Sequence, residues 1–202
     1  MAENVSKSVI ARLPTYLHYL KSAVRTKPTV SSKWLADSLG LGEVQVRKDL
    51  ALVSGAGKPK IGYVTEELIE HIENILRSNE KHHAIIVGAG KLGLALLSYD
   101  GFSEYGTEIL AAFDRDERKC GLAHFGKPIY GVDTLRSFCD ENHPEIGILT
   151  VPESNAQIVC DELTACGIKR ILNFSPVILS VPKDVRVNNV NVAASLAVLL
   201  AK

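Results

Sequence analysis

The stretch Ala84-Ile-Ile-Val-Gly-Ala-Gly-Lys-Leu-Gly-Leu-Ala-Leu-Leu97 constrains the fold more than any other part of the chain. A short apolar run ends in Gly88-x-Gly90-x-x-Gly93, and an apolar run of helical character follows. Between a strand and a helix each glycine has its own task. Gly88 permits a tight turn, Gly90 lets the backbone approach a pyrophosphate, and Gly93 lets helix and strand pack closely. The start of the following helix adds free N–H groups and partial positive charge for phosphates. Gly88, Ala89, Gly90, Lys91, Leu92 and Gly93 are therefore candidate dinucleotide contacts. A second apolar run, Thr107–Phe113, ends in Asp114, 26 positions after Gly88. A carboxylate there can bind the adenosine ribose hydroxyls and repel a 2′-phosphate, which favours NAD(H) over NADP(H). Arg115, a further candidate contact, and Arg118 stand close enough to weaken that preference.

The strand–helix alternation continues. Ile129–Val132 leads into a helix at 133–142, Ile146–Val151 is a buried-type strand, and Asn155–Cys166 is a helix closed by Gly167. Lys169–Phe174 is a further strand. Such repetition indicates a parallel sheet, the Rossmann arrangement, and ligands bind beyond the carboxyl ends of its strands. Thr150, Val151 and Pro152, through to Glu153, together with Asn173, Ser175 and Pro176, are thus predicted to form the nicotinamide pocket. The tail, Asn189–Lys202, reads as a short apolar helix. About three turns of such sequence are marginal alone, so the tail either folds back on its own domain or is buried in a partner subunit.

The N-terminal third has another character. Leu13, Leu17, Leu20 and Val24 fall near helical spacing. A serine in Val30-Ser31-Ser32 can cap a second helix, Lys33–Leu39. Gly40-Leu41-Gly42 breaks it, and a third helix begins at Glu43. Helix, short glycine-containing turn and helix form the skeleton of a helix-turn-helix. On the third helix Val46, Leu50 and Val53 can face a core, leaving Gln45, Arg47 and Lys48 on the open side. Arg and Gln side chains can pair bidentately with guanine and adenine edges in the major groove. The loop Gly55–Tyr63 would form a wing, with Lys58 and Lys60 suited to phosphate contact. Glu66–Arg77 reads as a connecting helix, and the polar run 78–83 marks a domain boundary. Adjacent His82 and His83 point in different directions and are linker or strand-edge residues, so no metal site is expected.

Lys+Arg and Asp+Glu are balanced at 23 each over the whole chain, which by itself argues against a nucleic-acid partner. Their distribution reverses that argument. Residues 1–62 carry ten Lys/Arg against four Asp/Glu, and the rest carries thirteen against nineteen, so a basic, polyanion-facing module is joined to an acidic one. The four cysteines, Cys120, Cys139, Cys160 and Cys166, are scattered without CxxC spacing. They are expected to be unpaired and packed as small hydrophobes, consistent with a reducing cytoplasm. No apolar run reaches the ~18 to 20 residues of a membrane span, and no secretory signal opens the chain, so a cytoplasmic protein is expected.

With these residues in view, the chain resembles the redox-sensing transcriptional repressor Rex family nearly end to end. The likeness rests on Arg12-Leu-Pro-x-Tyr16-Leu, Val30-Ser-Ser-x-x-Leu-Ala, Gln45-Val-Arg-Lys-Asp-Leu50, Gly62-Tyr63, the glycine loop, Phe113-Asp-Arg-Asp116, Val151-Pro152 with Ala156-Gln157, and Gly167-Ile-Lys-Arg-Ile-Leu-Asn-Phe-Ser-Pro176-Val. The resemblance implies an α/β protein with an N-terminal winged-helix DNA-binding domain (1–78), a Rossmann domain (79–185) and a C-terminal dimerisation helix swapped between subunits (186–202). It also implies a homodimer whose binding to double-stranded operator DNA is relieved by NADH and permitted by NAD⁺. The candidate DNA contacts are then Ser31, Ser32 and Lys33 at the second helix, Gln45, Arg47 and Lys48 on the third, and Lys58 and Lys60 in the wing. The chain departs from the family pattern in three places. Ala51–Gly57 lacks the aromatics that usually follow the third helix, Pro59-Lys60 replaces arginine-glycine, and Asn191 replaces an aspartate. A DNA-binding paralogue with an altered NADH response is one alternative. An NAD-dependent dehydrogenase is another. It would need an acid/base group beside the nicotinamide and usually a substrate domain. The only histidines after the glycine loop, His124 and His143, have no evident carboxylate partner, and no room remains for such a domain.

Overall fold

The computed structural model describes residues 5–77 and 79–200. Expectations that touch residues 1–4, Ser78 and residues 201–202 lie outside the described residues. The chain divides into two compact units, 1–80 and 81–202.

The first unit contains helices α1 (Lys7–Ile10), α2 (Leu13–Ala23), α3 (Ser32–Leu39), α4 (Glu43–Ser54) and α5 (Thr65–Leu76), with strands β1 (Thr29–Val30) and β2 (Tyr63–Val64). Pro14 sits in the first turn of α2, where no intrahelical N–H is lost. Leu13, Tyr16, Leu17 and Leu20 form its buried stripe. Val24, expected on the same stripe, is half-buried at the C-cap. Ser31 caps α3 by accepting the Trp34 N–H at 3.1 Å, and Gly40 ends it in the left-handed region at φ 63°. Leu35 and Ala36 of α3, Val46 and Leu50 of α4, and Leu68 and Ile72 of α5 complete the core. Each fully buried Leu or Ile stabilises the unit by roughly 1.5–3 kcal/mol. The two strands pair antiparallel, Thr29 opposite Val64 and Val30 opposite Tyr63. Two residues are too few to show a strand period, so this small sheet is invisible to sequence periodicity.

The second unit is built on a seven-stranded sheet. Its strands are β3 (His82–Val87), β4 (Thr107–Asp114), β5 (Ala123–His124), β6 (Lys127–Gly131), β7 (Ile146–Leu149), β8 (Arg170–Asn173) and β9 (Arg186–Asn189). Its helices are α6 (Lys91–Leu97), α7 (Leu135–Asn142), α8 (Glu153–Ala165) and α9 (Val192–Leu200). The strand order is β5-β6-β4-β3-β7-β8-β9, parallel except for the short edge strand β5. From β3 the chain winds outward through β4 to β6, then returns to β7 on the other side of β3. The switch point therefore lies between the carboxyl ends of β3 and β7, where ligands bind in such sheets. Alternate residues of β3 enter opposite cores. Ile85 and Val87 pack with Phe113, Leu149 and Leu163, whereas Ala84 and Ile86 pack with Leu97, Ile109 and Ile148. Burial on both faces explains why β3 reads as a continuous apolar run.

The segment 186–202, assigned from the sequence to a dimerisation helix, is not one element. Arg186–Asn189 forms β9, paired in register with Arg170–Asn173. The polar run Arg-Val-Asn-Asn carries no strand signal of its own, and the ladder to β8 decides its conformation. The helix starts only at Val192, with the Asn191 side chain accepting the Ala194 N–H at 2.9 Å.

Candidate functional site

The loop after β3 makes a cradle in which two positions, Gly88 and Gly93, tolerate only glycine. Gly88 has φ 108°, and a Cβ there would lie 2.8 Å from the Thr150 carbonyl. A Cβ on Gly93 would lie 1.9 Å from the Gly88 oxygen. At Gly90 the opposite holds, because an added Cβ meets nothing within 4 Å. Gly88 and Gly93 are thus glycine because the protein fills their space, and Gly90 because a ligand would need it. The residues present fit a dinucleotide pyrophosphate.

Around this loop lies a cavity of about 370 Å³, lined by Gly88, Gly90, Asp114, Arg115, Thr150, Val151 and Pro152 among others. A second cavity of about 470 Å³ is lined by Leu92, Ser175, Pro176, the turn to Ile178 and the segment 189–193. The sequence-predicted contacts therefore divide. Ala89 and Asn173 are fully buried, and Gly93 is buried at the start of α6. Asn173 spends its amide on the Val177 carbonyl (2.9 Å) and on Asn189 (2.8 Å), and its oxygen accepts the Ser175 N–H. It braces the β8 turn. Ser175 donates its hydroxyl to the Val151 carbonyl at 2.6 Å, and Thr150 donates to the Gly88 carbonyl at 2.7 Å. These bonds tie the ends of β3, β7 and β8 together. Lys91 is exposed on α6, and Glu153 is exposed at the start of α8. His124 meets Phe125 edge to face, His143 ends α7, and neither lines either cavity.

Asp114 ends β4 with 8% exposure. One carboxylate oxygen accepts the Asp116 N–H at 2.9 Å, and the other pairs with Lys119 Nζ at 2.8 Å. Lys119 also lines the cavity, and sequence reading missed it. Arg118, which sequence placed near the ribose, is held by Asp116 through two bonds of 2.9 Å. That guanidinium lowers the Asp116 carboxyl to about 2.

In the first unit Gln45, Arg47 and Lys48 are exposed on α4, as expected, with Arg47 3.7 Å from Glu43. Ser31 is exposed but committed to capping, Ser32 is half-buried and Lys33 is exposed. The wing is a tight loop. Lys58 and Gly62 exchange two backbone bonds of 2.8 Å, and Lys60 stands at its tip with φ 67°. A Cβ on Gly62 would lie 2.2 Å from the Val30 oxygen, so the base of the wing is pressed against the start of α3. The structure thus sets the base of the wing, at Gly62, beside the Val30–Ser31 backbone that leads into α3. Where the aromatics are missing, the non-aromatic residues Ala51–Gly55 border an open cavity of about 620 Å³ with His71, Asn74 and Ile75.

Sequence spacing missed a buried charge behind this surface. Asp49, between Lys48 and Leu50, is 3% exposed. It accepts Arg12 Nε at 2.7 Å, Arg12 Nη2 at 2.8 Å and the Tyr16 hydroxyl at 2.8 Å. Burial and the bond to Asp49 push the Tyr16 phenol up to about 12. A buried carboxylate is tolerated only when so paired, and here the pairing locks α4 to α2. The signal was present in the Arg12-x-x-x-Tyr16 spacing, one turn apart on α2.

Comparison with known proteins agrees with this geometry. A family model described as a putative DNA-binding protein N-terminus matches residues 4–51, and one described as a CoA binding domain matches 79–177. The redox-sensing transcriptional repressor Rex of Treponema denticola is 42% identical over 191 residues, covering 94% of this chain and 91% of that protein. The protein of the same name from Clostridium perfringens is 39% identical over 199 residues, 98% of this chain and 94% of its own length. The chain belongs to the Rex family. Among solved structures, the Rex-family repressor RSP in complex with β-NAD⁺ and operator DNA superposes with a TM-score of 0.90 at 37% identity, covering 97% of this chain and 91% of that one. RSP in complex with β-NADH gives 0.88 at 36% identity over 98% and 93%. The fold is accordingly an N-terminal winged-helix domain followed by a Rossmann domain. No helix among the described residues is long and apolar enough to cross a membrane, and no group of metal-binding side chains occurs among them.

Proposed function

We propose that this protein is a cytoplasmic, homodimeric repressor that binds operator DNA with α4 and the wing and releases it when NADH rises relative to NAD⁺. The observation that carries the reading is the pairing, in one chain, of a glycine cradle left open at Gly90 with a braced helix presenting Gln45, Arg47 and Lys48. Arg47 and Gln45 read base edges, while Lys48, Lys58, Lys60 and Lys33 meet phosphates. Ser31 and Ser32 present the start of α3 to the same backbone.

The bound dinucleotide supplies a nicotinamide whose charge differs between its oxidised and reduced forms. The chain supplies the rest. The Gly88–Gly93 loop, with Ala89, Lys91 and Leu92, takes the pyrophosphate, and Asp114 with Arg115 takes the adenosine ribose. Thr150, Val151, Pro152, Ser175 and Pro176 border the nicotinamide, with Asn173 bracing them. Residues 191–200 are exposed throughout, including Leu196, Leu199 and Leu200. A nine-residue apolar helix is not stable alone in water, which supports burial of α9 in a second copy of the chain.

The test is retention of sheared genomic DNA on the purified protein, followed by elution with NADH and, as a control, NAD⁺. Discrete fragments released by NADH alone are expected. Gly90→Val should hold the same fragments and ignore NADH. Fragments that neither dinucleotide moves would leave a DNA-binding paralogue without the switch. Asn191 favours that outcome in one respect, since it keeps the helix cap an aspartate would give and drops its charge.

A further inference from the structure

The outward face of α4 is not uniformly polar. Val46, Asp49 and Leu50 are buried and fix which side of the helix turns inward. At about 100° per residue, the positions opposite that stripe are Val44, Lys48 and Ala51, spaced i, i+4 and i+7. Gln45 and Arg47 flank this line on either side, and all five residues are exposed. The first turn of the outward line is therefore held by an isopropyl group, 55% exposed and outside the buried core. Leu52, the other large exposed apolar residue of α4, lies off the line and borders the cavity shared with His71, Asn74 and Ile75 of α5.

A valine in this place brings nothing to the fold. It leaves apolar area in water, and its branched Cβ loses rotamer freedom against the helix. In the major groove the same side chain has a use. Thymine carries a C5-methyl group there, and an apolar side chain is what recognises it. The flanking Arg47 and Lys48 supply the charge that brings a duplex to this face. We infer that Val44 is a specificity-determining residue of α4, which selects a thymine by packing against its C5-methyl group. Each operator half-site then carries a thymine at the base pair that Val44 reaches, beside those read by Gln45 and Arg47. The inference rests on the operator reading above and deepens it from DNA binding to a single base.

The test uses a genomic fragment retained by the wild-type protein, remade as synthetic duplexes in which one thymidine at a time is replaced by deoxyuridine. The exchange deletes the methyl group and leaves every hydrogen-bonding edge of the base pair in place. Full-length wild type, Val44→Ser and Val44→Ile are titrated against each duplex at one fixed salt concentration. For the wild type, one thymine in each half-site should respond, with binding weakened about fourfold, the factor carried by one buried methyl group. Val44→Ser should bind the unmodified duplex weakly to a similar degree and show no further loss at that position. Val44→Ile, which keeps a branched apolar side chain, should retain the response. A wild type indifferent to every deoxyuridine, or a Val44→Ser protein that still responds at the wild-type position, overturns the inference while operator binding stands. A Val44→Ser protein that binds no duplex points to a structural role and overturns it too. Retention of no discrete fragment by the wild type overturns the operator reading as well.

Discussion

Each unit buries an aspartate beside a cation, and the two are put to different uses. Asp49, 3% exposed, accepts three hydrogen bonds from Arg12 and Tyr16 and lines none of the three cavities described above. Asp114, 8% exposed, is held by one backbone N–H and by Lys119, and it opens on the cavity at the carboxyl end of β4. The first has three of its roughly four acceptor sites filled and is closed off by burial, so its charge holds helices together. The second keeps lone pairs for a ligand. What separates a structural acid from a binding acid is the capacity left over once its partners are counted, since both are buried and both are paired.

Breaking the closed pair should have the largest effect on stability. Arg12→Ala strands Asp49 as a buried charge and should cost about 3 kcal/mol. Thermal unfolding measures it, and a loss under about 1 kcal/mol would mean that Asp49 reaches water and the contrast with Asp114 fails. At the open pair, Asp114→Asn should leave unfolding within about 1 kcal/mol of wild type and weaken NADH about tenfold in titration. A stability loss matching that of Arg12→Ala would make Asp114 structural too.

The Tyr16 bond sharpens the comparison by pH. The phenol rises from 10.0 to about 12 on folding. A raised value means that the stability it contributes is complete below pH 10 and is lost as pH climbs towards about 12. Tyr16→Phe should cost about 1 kcal/mol at neutral pH and lose less of its remaining stability over the alkaline window. Equal alkaline losses in both proteins would remove Tyr16 from the network. The smallest effect concerns the loops. Lys60 stands at φ 67°, where side chains are strained and glycine is not. Lys60→Gly should stabilise the first unit by up to about 1 kcal/mol, and it should lower the salt slope of DNA binding by about 0.9 if the ammonium meets one phosphate. An unchanged slope would mean that the wing tip does not touch DNA. In the nucleotide loop the opposite choice was made, because room for a ligand is needed there and charge is not.

Much of this was legible in the chain. The glycine spacing located the cradle, because a turn, an open position and a close contact are backbone demands that Gly88, Gly90 and Gly93 meet whatever surrounds them. Leu13, Leu17 and Leu20, like Leu68 and Ile72, declared their helices by a period that depends on local geometry alone. A serine in Val30-Ser31-Ser32 announced a cap in the same way, and the Trp34 N–H assigns it to Ser31. Other features were decided in three dimensions. β9 exists because Arg170–Asn173 offers it a ladder, and Arg186-Val-Asn-Asn has no preference that would have revealed it. Asn173 looked like a ligand contact and is a brace, because Val177 and Asn189 take its amide. Lys119 and Arg118 are neighbours in sequence, yet one faces the cavity and the other is bound to Asp116. Local conformation follows from residues a few positions apart and is written in the sequence. Which charge meets which partner depends on where the turns set down side chains from different elements, and only the tertiary structure decides that.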